Sequence, residues 1–406
     1  SSLVVIFESY FNNYGTFNFM IKDQFLLDPA ITYLNFGSFG ACPKIVFDAY
    51  QKFQMELERQ PVQFMMHTGM KYLNDAQGTL AAYIGCDAND VVMVTNPSYA
   101  INTIAKALPL NKGDEILTTN LEYGAMDRTW RYYCEKACAK YVAQQITFPI
   151  QSKEQFLNDF WDGCTAQTKV VFISHITSAT GLILPIEEIC REARRRGLLT
   201  IIDGAHVPGQ LPLDVTALDA DVYVGACHKW MMGPKGASFL FVKREQQHWV
   251  DPLLISWGFQ SEAPSESTFI DYHQTAGTRD FSSFLAVPFC IEFMKKNNWE
   301  LVRSHCQKKT IEWANRFKAE FGFHSIAPIT DSFIGQMYSM PIKLEDPDLL
   351  KAILYDQYQI EVPVFKNQKD VFIRFSYQAF NTDEDMQYLF DTLKSLKSKG
   401  VFEIGG

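Results

Sequence analysis

A chain of 406 residues is too long for one small core, so two domains are expected. Its composition (47% hydrophobic, 14% aromatic, 20% charged) is that of a globular protein and excludes a disordered one. The formal net charge of -9 argues against nucleic-acid partners, which want a basic surface, and no apolar run approaches the ~20 residues of a membrane helix.

Residues 1–30 read as an aromatic-rich arm closing at Asp28-Pro29, and the opening SSLVVIFESYF, with no basic lead-in, is a poor secretory signal. The nine scattered cysteines fit reduced thiols in a cytoplasmic protein. Cys134 and Cys138 fall at i and i+4, but no histidine lies near enough in sequence to complete a tetrahedral metal site. Then short apolar runs alternate with amphipathic stretches. VVMVT (91–95), EILTT (115–119), KVVFIS (169–174), LLTIID (198–203) and DVYVG (221–225) read as strands, and PIEEICREARRR (185–196) as a helix. That alternation predicts an α/β domain over residues 31–275, with a mostly parallel sheet sandwiched by helices. SEAPSES (261–267) reads as a loop. Residues 276–406, helical with strand candidates near 335–340 and 371–375, are expected to form a smaller α+β domain.

In such sheets ligands gather beyond the carboxyl ends of the strands, where four different chemical groups follow one another here. LLTIID ends in Asp203, a carboxylate that burial would make costly without a cationic partner. DVYVGACHKWMMGPKG places Lys229 between His228 and Trp230 just past a strand, where an amine of depressed pKa can do carbonyl chemistry. VVMVT runs into Asn96-Pro97-Ser98-Tyr99 and a helix start, whose free N–H groups and positive dipole end suit a phosphate. KVVFIS runs into His175. Each alone has a bland reading: a capped aspartate, a surface lysine, a helix N-cap, a core histidine. Together they are what pyridoxal 5'-phosphate (PLP) requires: an amine, an acid for the pyridine nitrogen, a phosphate cradle and a ring-stacking group.

These strand ends belong to a longer set of motifs: YLNFGSFGACP (33–43), VTNPSYAIN (94–102), LEYGAMDRTW (121–130), HITSATGLILPI (175–186), IDGAHVPG (202–209), HKW (228–230), AGTRD (276–280) and RFSYQAFNT (374–382). As a set they resemble the class V aminotransferase family of PLP enzymes of fold type I, and within it proteins like isopenicillin N epimerase. The resemblance implies that Lys229 is the Schiff-base lysine and Asp203 the pyridinium partner. It puts His206 and His175 near the phenolic oxygen of the ring and Tyr123 in the ring-stacking place. Ser98, Tyr99 and His228 fall at the phosphate. Thr278 would reach the phosphate of a partner subunit, implying a homodimer with shared active sites. Arg374 matches the arginine that grips the substrate carboxylate, and Asn35 and Ser38 fall at the substrate. Two departures stand out: Ala226 where a serine is common, and Tyr99 where a small hydroxyl residue is common.

The family resemblance further implies an amino-acid-like substrate that loses its α-proton to Lys229. Reprotonation on the opposite face would be epimerisation, with Tyr123 or a water as the acid. C–S β-lysis and transamination are the alternatives, and an inactive scaffold is disfavoured by the joint presence of Lys229, Asp203 and Arg374. Desulfurases pass sulfur to a loop cysteine upstream of the carboxylate arginine; no cysteine follows Cys306, which argues against persulfide formation.

Overall fold

The computed structural model describes residues 21–367 and 369–404; most of the expected arm lies outside them. A two-residue strand, β1 (Thr32–Tyr33), is followed by the helices Lys44–Arg59 and Gly69–Ile84. Seven strands then build the main sheet: β2 (Val91–Val94), β3 (Glu115–Thr119), β4 (Lys140–Gln144), β5 (Thr168–Ser174), β6 (Leu199–Asp203), β7 (Val222–Ala226) and β8 (Ser238–Val242). Their order is β2-β8-β7-β6-β5-β3-β4. Neighbours from β7 to β4 pair parallel, whereas β8 runs antiparallel to both β2 and β7. The reversal follows from chain length, because the segment 227–237 holds no crossover helix and parallel neighbours need one.

Side chains alternate across the sheet, which separates two cores. Val92, Val94, Ile116, Phe172, Ile201, Val224 and Leu240 meet Ile101, Ile104 and Trp130 from the helices Pro97–Ala107 and Gly124–Ala137. Val91, Met93, Leu117, Val171, Ile173, Ile202 and Phe239 face the other way. They join Leu73, Leu80 and residues of the helices Ile186–Arg196 and Val287–Lys296.

The C-terminal sheet comprises β9 (Met337–Lys343), β11 (Val364–Asn367), β12 (Asp370–Ser376) and β13 (Glu403–Ile404), antiparallel throughout in the order β11-β12-β9-β13. The helices Trp299–Phe321 and Asp383–Ser398 cover it through Phe317, Phe375 and Phe390, whose rings lie 5.3 Å apart for both Phe317 pairs. The short strand β10 (Ile360–Glu361) pairs parallel with β1. That pairing, with Ser376 N donating to Leu34 O at 2.8 Å, fixes the segment after β1 between the two sheets.

All nine cysteines are free thiols. Cys134 is buried, while Cys138 is the exposed, left-handed cap of the same helix, so the two do not form a pair on one face. No described helix is long and apolar enough to cross a membrane.

Candidate active site

The carboxyl ends of β2, β3, β5, β6 and β7 open on one cavity. Ser38, Asn96, Ser98, Tyr123, Ser174, Ser178, Asp203, His206, His228 and Lys229 are among the residues that line it. Each arrives by local logic. Asp203 is the last residue of β6. Tyr123 caps the helix after β3, and Ser98 sits in the first turn of the helix after β2, whose Asn96 cap accepts from Tyr99 N at 2.8 Å. Lys229 lies on the turn that follows β7, in the segment 227–237 leading to β8. Gly40 packs on that turn at φ +64, where a Cβ would stand 2.3 Å from His228 O.

The electrostatics are those of a desolvated amine and acid facing each other. Burial lowers the Lys229 amine from 10.5 to about 8, against the opposing pull of Asp203. Burial also raises the Asp203 carboxyl, although Ala205 N donates to its Oδ1 at 3.0 Å and Lys229 favours the charged form. Trp230 Nε1 can only donate, and it does so to His206 Nδ1 at 3.2 Å. The neutral His206 ring therefore carries its proton on Nε2, 3.1 Å from Lys229 Nζ. Burial, and then the Lys229 charge, hold His206 well below the ordinary histidine range. His228 Nδ1 faces Ala237 O at 3.1 Å, leaving Nε2 for the cavity, and burial lowers this ring to about 4.

Arg374 projects from β12 toward the same place. It is buried, and burial lowers it to about 10. Nη1 donates to Ser178 O and Nη2 to Ser38 Oγ at 3.3 Å, both on cavity-lining residues. Among the described residues no carboxylate forms an ion pair with it. The described ion pairs lie elsewhere, such as Lys243 with Asp219 and Lys309 with Asp383.

Four residues expected at the site stand apart from this cavity. His175 follows the last residue of β5, and strand alternation turns it to the opposite side from Ser174. It lines a larger cleft of about 690 Å³ with Lys153, Glu187 and Leu211, and its Nδ1 meets Tyr223 Oη at 3.1 Å. That cleft is bigger than the cavity around Lys229, about 160 Å³, but its amine and acids, such as Lys153 and Glu187, are solvent-exposed, whereas Lys229 faces the buried Asp203; chemistry rather than size marks the site. Tyr99, one helical step of about 100° past Ser98, packs its ring against the core of the Trp130 face instead. Asn35 spends its amide on Glu361 Oε1 at 2.9 Å and on the Ser38 hydroxyl at 2.5 Å. Thr278 is exposed and does not line the cavity of its own chain.

Sequence reasoning also passed over residues that matter here. Ser174 and Ser178 are small polar residues of a kind abundant on any surface; only their places at and after the end of β5 mark them. Glu122, beside Tyr123, is buried and raised to about 8 by desolvation, despite accepting from Ser174 Oγ and Thr119 Oγ1, each at 2.6 Å. A glutamate next to a strand end gave no sign of that burial.

The donor set of this cavity fits PLP. The amine, the buried acid, the aromatic ring of Tyr123 and the helix N-terminus with Ser98 and His228 converge on one space. Comparisons with known proteins agree. The family model described as aminotransferase class-V matches residues 33–389. Isopenicillin N epimerase of Amycolatopsis lactamdurans is 31% identical over 92% of this chain and 97% of its own. L-cysteine desulfhydrase of Arabidopsis thaliana is 26% identical over 89% of this chain and 87% of its own. In fold the chain is similar to a C-DES variant with glycine covalently linked to its PLP cofactor. The TM-score is 0.80 at 19% identity, over 92% of this chain and 98% of the other.

Proposed function

The chain belongs to the class-V aminotransferase family of PLP-dependent enzymes, and we propose that it removes and returns the α-proton of an amino-acid substrate, as an epimerase does. Lys229, Asp203, Tyr123, Ser98 and His228 would hold the cofactor. When bound, PLP supplies an electron sink for the charge left at the substrate carbon.

The chain's own residues would do the rest. Asp203, desolvated at the end of β6, is suited to a protonated ring nitrogen, an attraction of about 4 kcal/mol for charges about 4 Å apart at an effective dielectric near 20. Lys229, lowered to about 8, is neutral in a fraction of molecules near neutral pH and can take a proton at Nζ. Neutral His206, its Nε2–H facing Lys229, stabilises that neutral amine by donating to it. Tyr123, half exposed at the cavity, is the proposed acid for the opposite face.

The observation that carries the substrate class is Arg374. A buried guanidinium whose hydrogen-bond partners among the described residues are a carbonyl and a hydroxyl, with no carboxylate, is suited to receive an anion from outside the chain. The α-carboxylate of an amino acid is the anion that PLP chemistry brings. Arg374→Ala tests this through the visible spectrum of the holoenzyme, titrated with glycine and with methylamine. Losing a buried charge-assisted contact should raise the half-saturating glycine concentration by about 30-fold or more. Methylamine, lacking the carboxylate, should titrate both proteins alike. An equal loss for both ligands would mean that Arg374 supports the fold instead.

The second reading, a C–S β-lyase, is supported by the desulfhydrase relatives. It shares every step up to α-proton removal. Release of sulfide from L-cysteine would select it over epimerisation.

A further inference from the structure

Arg374 is not held by its own contacts alone. Behind it runs a chain of hydrogen bonds that leaves the cavity. Arg374 Nη2 donates to Ser38 Oγ at 3.3 Å, Ser38 Oγ donates to Asn35 Oδ1 at 2.5 Å, and Asn35 Nδ2 donates to Glu361 Oε1 at 2.9 Å. Only one direction is available. The guanidinium has no acceptor, and the carboxylate of Glu361, when ionised, has no donor. Both ends thus fix the orientation of the two neutral groups between them. The amide of Asn35 must turn its NH₂ toward Glu361 and its oxygen toward Ser38. The single hydroxyl proton of Ser38 must then go to Asn35, leaving its lone pairs to Arg374.

The covalent frame supports the same arrangement. Glu361 lies on β10, directly opposite Tyr33 on β1, and Leu34 N donates to Glu361 O at 2.9 Å. A Cβ at Gly37 would stand 3.0 Å from Met337 Sδ and 3.5 Å from Arg374 Nη2, so a side chain there would crowd the guanidinium. The segment 33–38 is therefore clamped at the place where it must present Ser38.

We propose that Glu361, Asn35 and Ser38 form a one-way relay that orients Arg374, making Glu361, outside the cavity, a positioning residue for recognition of the substrate carboxylate. This rests on Arg374 being the carboxylate receptor. It also changes the part played by Asn35 and Ser38: with its proton committed to Asn35, Ser38 acts on the arginine and not as a donor to substrate. Without an acceptor at position 361, the Asn35 amide is free to flip and the Ser38 hydroxyl to reverse. A donor would then face Arg374, and the guanidinium would lose its fixed aim.

The test uses the holoenzyme, with glycine and methylamine as probes of its visible spectrum. Glu361→Ala should raise the half-saturating glycine concentration about tenfold, the loss expected for one hydrogen bond to a charged group, and leave methylamine unchanged. Glu361→Gln keeps an acceptor oxygen for Asn35 and should stay within about threefold of the parent protein, a rescue that loss of charge alone would not give. Asn35→Ala should reproduce the effect of Glu361→Ala, and the double variant should be no worse than either, because one chain is broken once. Glycine affinity untouched by both single variants would overturn the relay. So would equal losses for glycine and methylamine, which would point to general damage. If Arg374→Ala weakens glycine while Glu361→Ala and Asn35→Ala do not, only the relay falls. If Arg374→Ala leaves glycine unaffected, the carboxylate reading itself falls.

Discussion

Burying the amine of Lys229 works against the stability of the apoprotein, and the extent depends on pH. The amine is lowered from 10.5 to about 8 in the fold, and an unfolded chain restores it. Between those values the unfolded state binds the extra proton, so stability rises with pH through that window. Below about 8 both states are protonated and the full penalty applies. Replacing the amine with an apolar chain of similar length removes the penalty. Lys229→Met should therefore stabilise the apoprotein at pH 7, by at most about 3 kcal/mol for a shift of this size. The gain should shrink as the pH approaches 10.5. Urea unfolding at pH 7 and at pH 10 measures both, and an equal gain at the two pH values would show that ionisation of Lys229 does not carry it. A residue kept despite such a penalty is one whose chemistry is wanted.

At the scale of elements, the site is assembled from strand ends and from the start of the helix Pro97–Ala107. Asn96 caps that helix through Tyr99 N. Asn96→Ala should destabilise the protein by about 1 kcal/mol, read from the urea midpoint. It should also weaken PLP binding in an equilibrium titration, because the first turn that presents Ser98 frays. A stability loss with PLP affinity unchanged would remove this turn from the cofactor site. The strand ends were legible in the sequence because buried parallel strands are continuous apolar runs: EILTT is β3, and KVVFIS and LLTIID end where β5 and β6 end, at Ser174 and Asp203. The edge strand β4, KYVAQ, is half exposed and carries no such run, so nothing in its pattern announced it. The sheet's largely parallel character was readable, but the reversal at β8 depends on connection length rather than on apolarity. Among the residues expected at the site, Asp203 and Lys229 do line the cavity, at and just past the strand ends where the apolar runs placed them. His175 and Tyr99 do not line it, because a residue type gives no direction and one residue's step along a strand or helix turns the side chain away. The relay through Asn35 joins positions far apart in sequence, and only the pairing of β1 with β10 brings them together.

On the scale of the whole molecule, we propose that the working form is a homodimer with shared sites. Thr278 is exposed in a single chain, as are Leu254, Ile255 and Trp257 on the stretch leading to it, Trp257 at 86%. Apolar side chains so open are candidates for cover by a second copy. Sedimentation should give a dimer. Trp257→Glu should shift it toward monomer and weaken PLP binding, and a parent protein that is monomeric with full PLP occupancy would refute shared sites. The catalytic claim is tested most directly by following the α-hydrogen. The holoenzyme is incubated in deuterated water with a panel of L- and D-amino acids, and the α-proton signals are read by NMR. The expected result is deuterium entering the α position of at least one amino acid, with the exchange abolished in Lys229→Ala. Turnover of an amino acid with its α-hydrogen retained, or exchange that survives loss of Lys229, would contradict it.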